Sequence, residues 1–191
     1  MMLKVFVGTA IALLTAAPVS AQDTIPWQND VQGWNVAVDR TIDNSCFIIS
    51  GFGSDLFLRV QFNTTKQNLQ FIVANIKWKS FEAGEPYDME VAFGDLEPWS
   101  GVAHGFHWNE VLPSLVLSVP IEDQKASHFI EQFSATSSVT VSHGGSEIAS
   151  LSLAGTDQAI ASMLDCQTSM MKSIDRKKSG ASPFASETDP I

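Results

Sequence analysis

Hydrophobic and polar residues alternate along most of the middle of the chain, which is the pattern of half-buried β-strands. The clearest alternation is LFLRVQF at residues 56–62, where four apolar side chains occupy one face and Phe57, Arg59 and Gln61 the other. Residues 69–78, LQFIVANIKW, are apolar on both faces, which predicts a central strand. Further strands are predicted at residues 34–39, 46–50, 87–93, 114–119, 139–143 and 147–153.

Helical spacing replaces this alternation in two parts of the chain. Phe129, Ile130 and Phe133 recur at helical spacing and predict one short helix within residues 120–134. Near the C-terminus Thr156 is a suitable N-cap for a second helix. The predicted inner stripe of that helix comprises Ala159, Ile160, Met163, Leu164 and Gln167. About eight strands that do not alternate with helices predict a mainly β fold, either an antiparallel β-sandwich or a partly open barrel.

The chain has two cysteines, Cys46 and Cys166, separated by 120 positions. In an oxidising compartment an isolated pair predicts a disulfide rather than a zinc site, which needs four ligands, or a redox motif, which needs close spacing. Closing so long a loop stabilises a fold by on the order of 4 to 5 kcal/mol in the chain-entropy model. The bridge would tether the C-terminal helix to the strand predicted at residues 46–50.

The first residues have the features of an export signal. Lys4 precedes an apolar run at residues 5–14, and Val19-Ser20-Ala21 is a small-residue cleavage pattern. The apolar run is shorter than the roughly 20 residues that span a bilayer, although an uncleaved anchor is the alternative. We predict a signal peptide at residues 1–21, a single β-rich domain at 22–171 and a polar, disordered tail at 172–191. This organisation predicts a periplasmic or secreted protein whose mature chain has no transmembrane segment.

The chain is acidic, with 21 Asp and Glu against 11 Lys and Arg and a net charge of −10. This charge would repel phosphate backbones, so nucleic acid is not an expected partner, whereas it suits solubility or a cationic partner. The sequence has no G-x-S-x-G elbow, no H-E-x-x-H motif and no phosphate-binding loop, so we predict no catalytic residue and no cofactor. Asp88 and Glu90 could form a carboxylate pair, but their alternation with apolar residues predicts a solvated strand face.

Residues 99–110, WSGVAHGFHWNE, combine aromatic rings with two histidines and two glycines. Because the glycines loosen the backbone, we expect a loop or an irregular strand end there. The rings could stack on a sugar, a peptide or a partner protein, or could instead cap the end of the β core. The ligand-binding candidates in this stretch are Trp99, His104, Phe106, His107 and Trp108.

A weaker alternative for the same stretch is a metal site. His104 and His107 would point to opposite faces of a strand, but a loop could bring them together. Glu110, Asp95 or Glu97 would then supply a third ligand, since zinc and similar ions bind imidazole and carboxylate groups. We predict no metal, and His104, His107 and Glu110 are the residues that would hold one.

Four segments of the chain follow one another in a recognisable order. They are GWNVAVD at residues 33–39, the Cys46-Phe47 pair, NIKWKSFEAGEPYDMEVAFGD at 75–95 and SLAGTDQAIASMLDCQ at 152–167. In these segments the chain resembles an uncharacterised group of small exported bacterial proteins. The closing Gly-Thr-x-x-Ala-x-x-x-Met-Leu-x-Cys pattern is the most specific, and its residues suit a turn, a capped helix and a bridging cysteine. The resemblance implies no activity and transfers no catalytic residue.

These features together predict an exported, non-catalytic binding or interaction module of the cell envelope or exterior. Its partner would be an unidentified protein or a small-molecule or glycan ligand. Two alternatives stay open: a hydrolase or metal-dependent enzyme that uses residues 95–110, and a structural protein of the envelope. Whether residues 95–110 line a concave pocket is the observation that discriminates best between binding and the alternatives.

Overall fold

The computed structural model describes residues 23–108 and 112–178 of the chain. The predicted signal peptide at residues 1–21, Glu110 and residues 179–191 of the predicted tail lie outside the described residues. The strands in the described ranges are β1 (Thr24–Val31), β2 (Trp34–Asp39), β3 (Ser45–Phe52), β4 (Leu56–Asn63), β5 (Asn68–Asn75), β6 (Pro86–Phe93), β7 (Trp99–Trp108), β8 (Leu112–Pro120), β9 (Ser138–His143) and β10 (Ser146–Ser152). The helices are α1 (Lys125–Ala135) and α2 (Thr156–Lys178).

All of these strands belong to one 10-stranded antiparallel sheet with the order β1-β2-β3-β4-β5-β8-β7-β6-β9-β10, which does not close. The predicted mainly β fold with a short helix and a C-terminal helix is confirmed. Residues 69–74 of β5 are all buried between β4 and β8, as expected for a strand that is apolar on both faces. The sequence pattern does not predict β1, because most of its side chains are exposed and its register with β2 shifts between Pro26 and Val31.

Both helices pack on the same face of the sheet, which we call the covered face. From α1, Phe129 and Phe133 meet the rings of Trp34, Phe71 and Phe93 edge to face, at centroid distances between 4.9 and 6.4 Å. All five side chains are buried. Edge-to-face ring pairs add to the free energy that is gained when their apolar area leaves water. The covered face therefore holds an apolar, largely aromatic core.

A disulfide between Cys46 of β3 and Cys166 of α2 confirms the predicted tether. Both cysteines are buried, and their Cα atoms are 6.1 Å apart. Beside the bridge, the backbone N–H of Cys46 donates a hydrogen bond of 2.9 Å to the side-chain oxygen of Gln167. The disulfide and this hydrogen bond together fix the C-terminal helix to β3.

The inner stripe of α2 is narrower than the sequence predicts. Three of its predicted members are buried against the sheet: Ala159, Ile160 and Met163. Leu164 is 43% exposed, so its inclusion in the stripe was wrong. The helix also continues past residue 171 to Lys178, and therefore includes the first residues of the predicted tail.

The opposite face of the sheet, which we call the bare face, carries neither helix. Along β4 the alternation places Leu58 and Val60 in the core of the covered face, and Arg59 and Gln61 on the bare face, as the LFLRVQF pattern predicts. Arg59 and Gln61 are nevertheless buried, although neither α1 nor α2 covers this face. Within the described part of the chain, neither helix is long and apolar enough to cross a membrane.

Candidate functional site

The candidate stretch at residues 99–110 forms the regular strand β7 up to Trp108, so the expected loop is wrong. A Cβ atom on Gly105 would lie 2.3 Å from the carbonyl oxygen of Glu82, because the loop at residues 82–85 packs directly against the strand. The backbone N–H of Gly84 donates to the Gly105 carbonyl at 2.8 Å, and the N–H of Gly105 donates to the Glu85 carbonyl at 2.9 Å. This glycine therefore allows a close backbone approach and does not loosen the strand.

Because side chains alternate along a strand, β7 divides the predicted aromatic candidates between the two faces. Trp99 lies on the covered face, where its ring packs on Phe129 at 5.2 Å between centroids. Its indole N–H donates a hydrogen bond of 2.6 Å to the side-chain oxygen of Gln132. Phe106 and Trp108 lie on the bare face and line a cavity there. Trp99 is thus a packing residue, whereas the other two rings are placed where a ligand could touch them.

The two histidines of the stretch are both exposed and lie on opposite faces of β7. The register with β8 is continuous from Ala103 to Trp108, so no bulge turns His104 and His107 toward each other. The arrangement in which a loop brings them together is therefore not found, and Glu110 lies outside the described residues. Within residues 23–108 and 112–178, no group of three or more His, Cys, Asp or Glu is placed to hold a metal ion.

The bare face holds an open cavity of about 710 Å³. Residues of β3, β4 and β5 line it, together with residues of β7, β8 and the segments at 23–24 and 39–42. Neither helix contributes a lining residue. Seven of the fifteen lining residues are apolar, and they include large and branched side chains: Ile42, Phe47, Ile49, Ile72, Phe106, Trp108 and Val116. A concave, mainly apolar surface with a few polar groups is typical of a small-molecule site.

Arg59 is a charged residue that lines this cavity, and it is only 4% exposed. Its Nη2 donates a hydrogen bond of 2.5 Å to Oδ2 of Asp39. The guanidinium carbon also lies 3.7 Å from the ring centroid of Phe47 and 5.0 Å from that of Trp108. A carboxylate and two ring faces stabilise a positive charge that burial would otherwise destabilise.

Asp39, at the end of β2, balances the charge of Arg59. Its Oδ1 accepts hydrogen bonds from the hydroxyl of Thr41 at 2.6 Å and from the backbone N–H of Thr41 at 2.9 Å. Burial raises the pKa of the Asp39 carboxyl, but the hydrogen bonds from Thr41 and Arg59 outweigh burial and lower this pKa below its ordinary value. Burial lowers the pKa of Arg59, and the Asp39 carboxylate offsets part of that effect. An arginine stays protonated in proteins, so the pair is charged and mutually neutralised.

Two buried polar atoms of the lining residues have no hydrogen-bond partner among the described residues: Arg59 Nε, a donor, and Gln61 Oε1, an acceptor. Gln61 is 5% exposed, and its Nε2 donates to Oε1 of Gln70 on β5 at 2.5 Å. Leaving a buried polar group unpaired costs about 1 to 3 kcal/mol. Both residues line the cavity, so a bound molecule that reached these two atoms with matching polar groups would recover that free energy.

A second, smaller cavity of about 490 Å³ lies beside β6 and β7. Asp88 and Glu90 line it together with Gly144 and Gly145 of the β9–β10 turn. Both carboxylates are exposed, as the alternation of β6 predicts. Among the described side chains, those that line this cavity include no buried polar atom without a partner. The second cavity is therefore a solvated acidic surface, and the cavity around Arg59 is the candidate site.

The sequence pattern alone does not single out Arg59, Asp39 or Gln61. A weak signal is present in the sequence, because a charged residue and an amide share one face of a strand that precedes a strand with apolar residues on both faces. A charge buried at that point must be paired. The partner is 20 positions away along the chain, and no local pattern marks it. Comparison with protein-family models, with curated proteins and with solved structures found no match for this chain.

Proposed function

We propose that this protein is an exported, non-catalytic binding module that holds a small ligand in the bare-face cavity. The observation that carries the proposal is the pair of buried, unpartnered polar atoms on Arg59 and Gln61, two residues that line the bare-face cavity. Buried polar groups in a folded protein are usually paired, so two unpaired groups at one cavity need an explanation. A ligand that pairs with them gives these groups a role.

The size and lining of the cavity support the same proposal. Its volume of about 710 Å³ falls within the range of roughly 300 to 1,000 Å³ that small-molecule sites occupy. Phe106 and Trp108 are half-buried at the cavity, so each ring can still bury further area against a bound molecule. Large rings of this kind provide contact area at a low cost in conformational entropy.

The chemistry of the lining residues favours binding over acid–base catalysis. Asp39 and Arg59 hold each other in their charged forms, and the lowered pKa of Asp39 makes this carboxyl a poor proton donor near neutral pH. None of the four histidines of the chain lines the cavity. The hydrolase and metal-dependent alternatives therefore gain no support from the described residues of this site.

Export is the part of the proposal that rests on the chain outside the cavity. The Cys46–Cys166 disulfide is compatible with an oxidising compartment, and the predicted signal peptide would direct the chain to the periplasm or the exterior. Membership of the group of small exported bacterial proteins that the sequence resembles stays a prediction. A cavity that binds a small molecule in that compartment fits each of these expectations.

The test is a ¹H–¹⁵N NMR screen of a small-fragment library against the protein with its disulfide intact. We expect hits whose chemical-shift changes cluster at the cavity, including the indole N–H of Trp108. For such a hit, Trp108→Ala should weaken binding by more than about 1 kcal/mol, because the ring forms part of the contact surface. Trp27→Ala is the matched control, since Trp27 is 42% exposed on β1 and does not line the cavity.

Two results would contradict the proposed function. One is a screen in which fragments bind elsewhere on the protein but none perturbs the cavity residues. The other is a cavity hit that Trp108→Ala and Trp27→Ala weaken equally, because such a hit would not depend on the ring that lines the site. Thermal unfolding of both variants shows that any loss of binding does not come from loss of the fold.

A further inference from the structure

The charged residues that line the cavity balance one another, since two are acidic and two are basic. The guanidinium of Arg59 is paired with the carboxylate of Asp39, and both residues are buried. Of the other lining residues, exposed Asp23 and exposed Lys66 carry one charge of each sign. An anionic ligand drawn to Arg59 would meet the carboxylate of Asp39, and a cationic ligand drawn to Asp39 would meet Arg59. At low dielectric each of these repulsions offsets the attraction, so the cavity favours an uncharged molecule.

The unpartnered atoms specify the polar group of that molecule. Arg59 Nε needs a hydrogen-bond acceptor, and Gln61 Oε1 needs a donor. The two residues lie two positions apart on the same face of β4, about 7 Å between their Cα atoms. One small group that both accepts and donates can therefore serve both side chains. If the amides of Gln61 and Gln70 rotate together, Gln61 presents its NH₂ instead, and the same kind of group still satisfies it.

The remaining lining residues specify the body of the molecule. Phe106 and Trp108 approach the cavity from β7, and Ile72 and Val116 lie between that strand and Arg59. These side chains offer ring faces and branched apolar groups but no charge. They suit a planar, apolar body that stacks on Trp108 while the polar group lies near Arg59.

From these features we infer that the ligand of the cavity is an uncharged molecule with an aromatic or other planar apolar body and a single group that both accepts and donates a hydrogen bond, such as a primary amide. This inference rests on the proposed binding function and narrows its ligand class. Asp39 sets the charge preference of the cavity, because its carboxylate cancels the positive charge of Arg59, which would otherwise select an anion.

The test uses four probes that share one body and differ in the polar group. These are 4-butylbenzamide, 4-butylbenzoate, 4-butylbenzylamine and methyl 4-butylbenzoate, which at neutral pH present an uncharged donor and acceptor, an anion, a cation and an acceptor alone. Calorimetric titration of the disulfide-bonded protein should rank the benzamide first. The benzoate and the benzylamine should each bind at least about tenfold more weakly, and the methyl ester should fall between them and the benzamide.

The variant Asp39→Asn tests the charge argument through the order in which it binds the four probes. The asparagine oxygen can still accept the hydrogen bonds of Thr41, but it no longer cancels the charge of Arg59. The variant should therefore bind the benzoate more tightly than the benzamide, which reverses the order seen in the native protein. Asp55→Asn is the matched control, because Asp55 forms an ion pair with Lys77 away from the cavity. This control should keep the native ranking.

Each outcome decides the inference separately from the proposed function. A native protein that binds the benzoate or the benzylamine as tightly as the benzamide overturns the inferred ligand class, although binding in the cavity then stands. No binding of any of the four probes also overturns it, and the fragment screen then decides whether the cavity binds at all. A benzamide preference that Asp39→Asn leaves unchanged shows that Asp39 does not set the selectivity and overturns the charge argument. If Asp39→Asn does not fold, the ranking by the native protein alone decides the class.

Discussion

The covered face and the bare face of this sheet are both buried at their centres, but by different kinds of side chain. The covered face buries the rings around Phe129 and Phe133 under two helices. The bare face buries an ion pair and an amide pair between aromatic and branched residues, and neither α1 nor α2 covers it. Burial of apolar area stabilises a fold directly, whereas a buried ion pair adds little over an apolar pair of the same shape. The difference indicates that the covered face contributes more to stability than the bare face does.

The largest expected effect compares the same substitution on the two faces. Phe133→Ala removes a buried ring that touches Trp34, Phe71 and Phe93, and it should lower the free energy of unfolding by about 4 kcal/mol. Phe106→Ala removes a half-buried ring at the cavity and should lower it by about 1 kcal/mol. Urea denaturation followed by circular dichroism measures both losses. Equal losses would show that the two faces contribute alike to stability.

The strands that sequence analysis identified are those whose two faces differ in burial or are both apolar. β4 is one of these strands, because its sequence LFLRVQF has an apolar core residue at every second position. The same reasoning does not identify β7, because its glycines favour a loop when only the local sequence is considered. The loop at residues 82–85 occupies the space of the missing side chain on Gly105, and that contact arises only in the folded chain. β1 escaped because its exposed residues give no apolar alternation.

The site was predictable only in part, for a related reason. Two of the binding candidates from the aromatic stretch, Phe106 and Trp108, line the cavity, and their role in binding stays a prediction. Trp99 lies on the covered face. Strand alternation predicts that position, but the expectation of a loop at residues 99–110 does not. The pairing of Arg59 with Asp39 depends on β2 and β4 both flanking β3. The spacing of these residues along the sequence does not reveal which strands become neighbours in the sheet.

The second-largest expected effect concerns the ion pair of Arg59 and Asp39, which is buried on the bare face. Arg59→Met keeps most of the side-chain volume but leaves Asp39 buried without its cationic partner. The free energy of unfolding should fall by about 3 kcal/mol, because an uncompensated buried charge is strongly destabilising. Urea denaturation at neutral pH measures the loss.

A double variant, Arg59→Met with Asp39→Asn, separates the loss of charge balance from the loss of packing. It should regain a large part of the lost stability, since neither charge then remains buried. A double variant no more stable than Arg59→Met would show that packing of the guanidinium on Phe47 and Trp108 accounts for the loss. Lys77→Met, which breaks the exposed pair with Asp55, is the control and should leave the denaturation midpoint unchanged.

The smallest expected effect is the acid sensitivity of the bare face. Because the pKa of Asp39 is lower in the folded protein than in the unfolded chain, where an aspartate titrates near about 4, the ionised carboxylate stabilises the fold above that pH. The stabilisation is lost as the pH falls through the folded-state pKa. The native protein should therefore exceed Asp39→Asn in urea midpoint near neutral pH, and this difference should shrink steadily below about pH 4. The comparison with Asp39→Asn isolates one carboxyl, since every other acidic group titrates in both proteins. The covered-face core is apolar and contributes no such dependence, so a difference that stays constant down to the acid limit would remove the ionised pair as a distinguishing feature of the bare face.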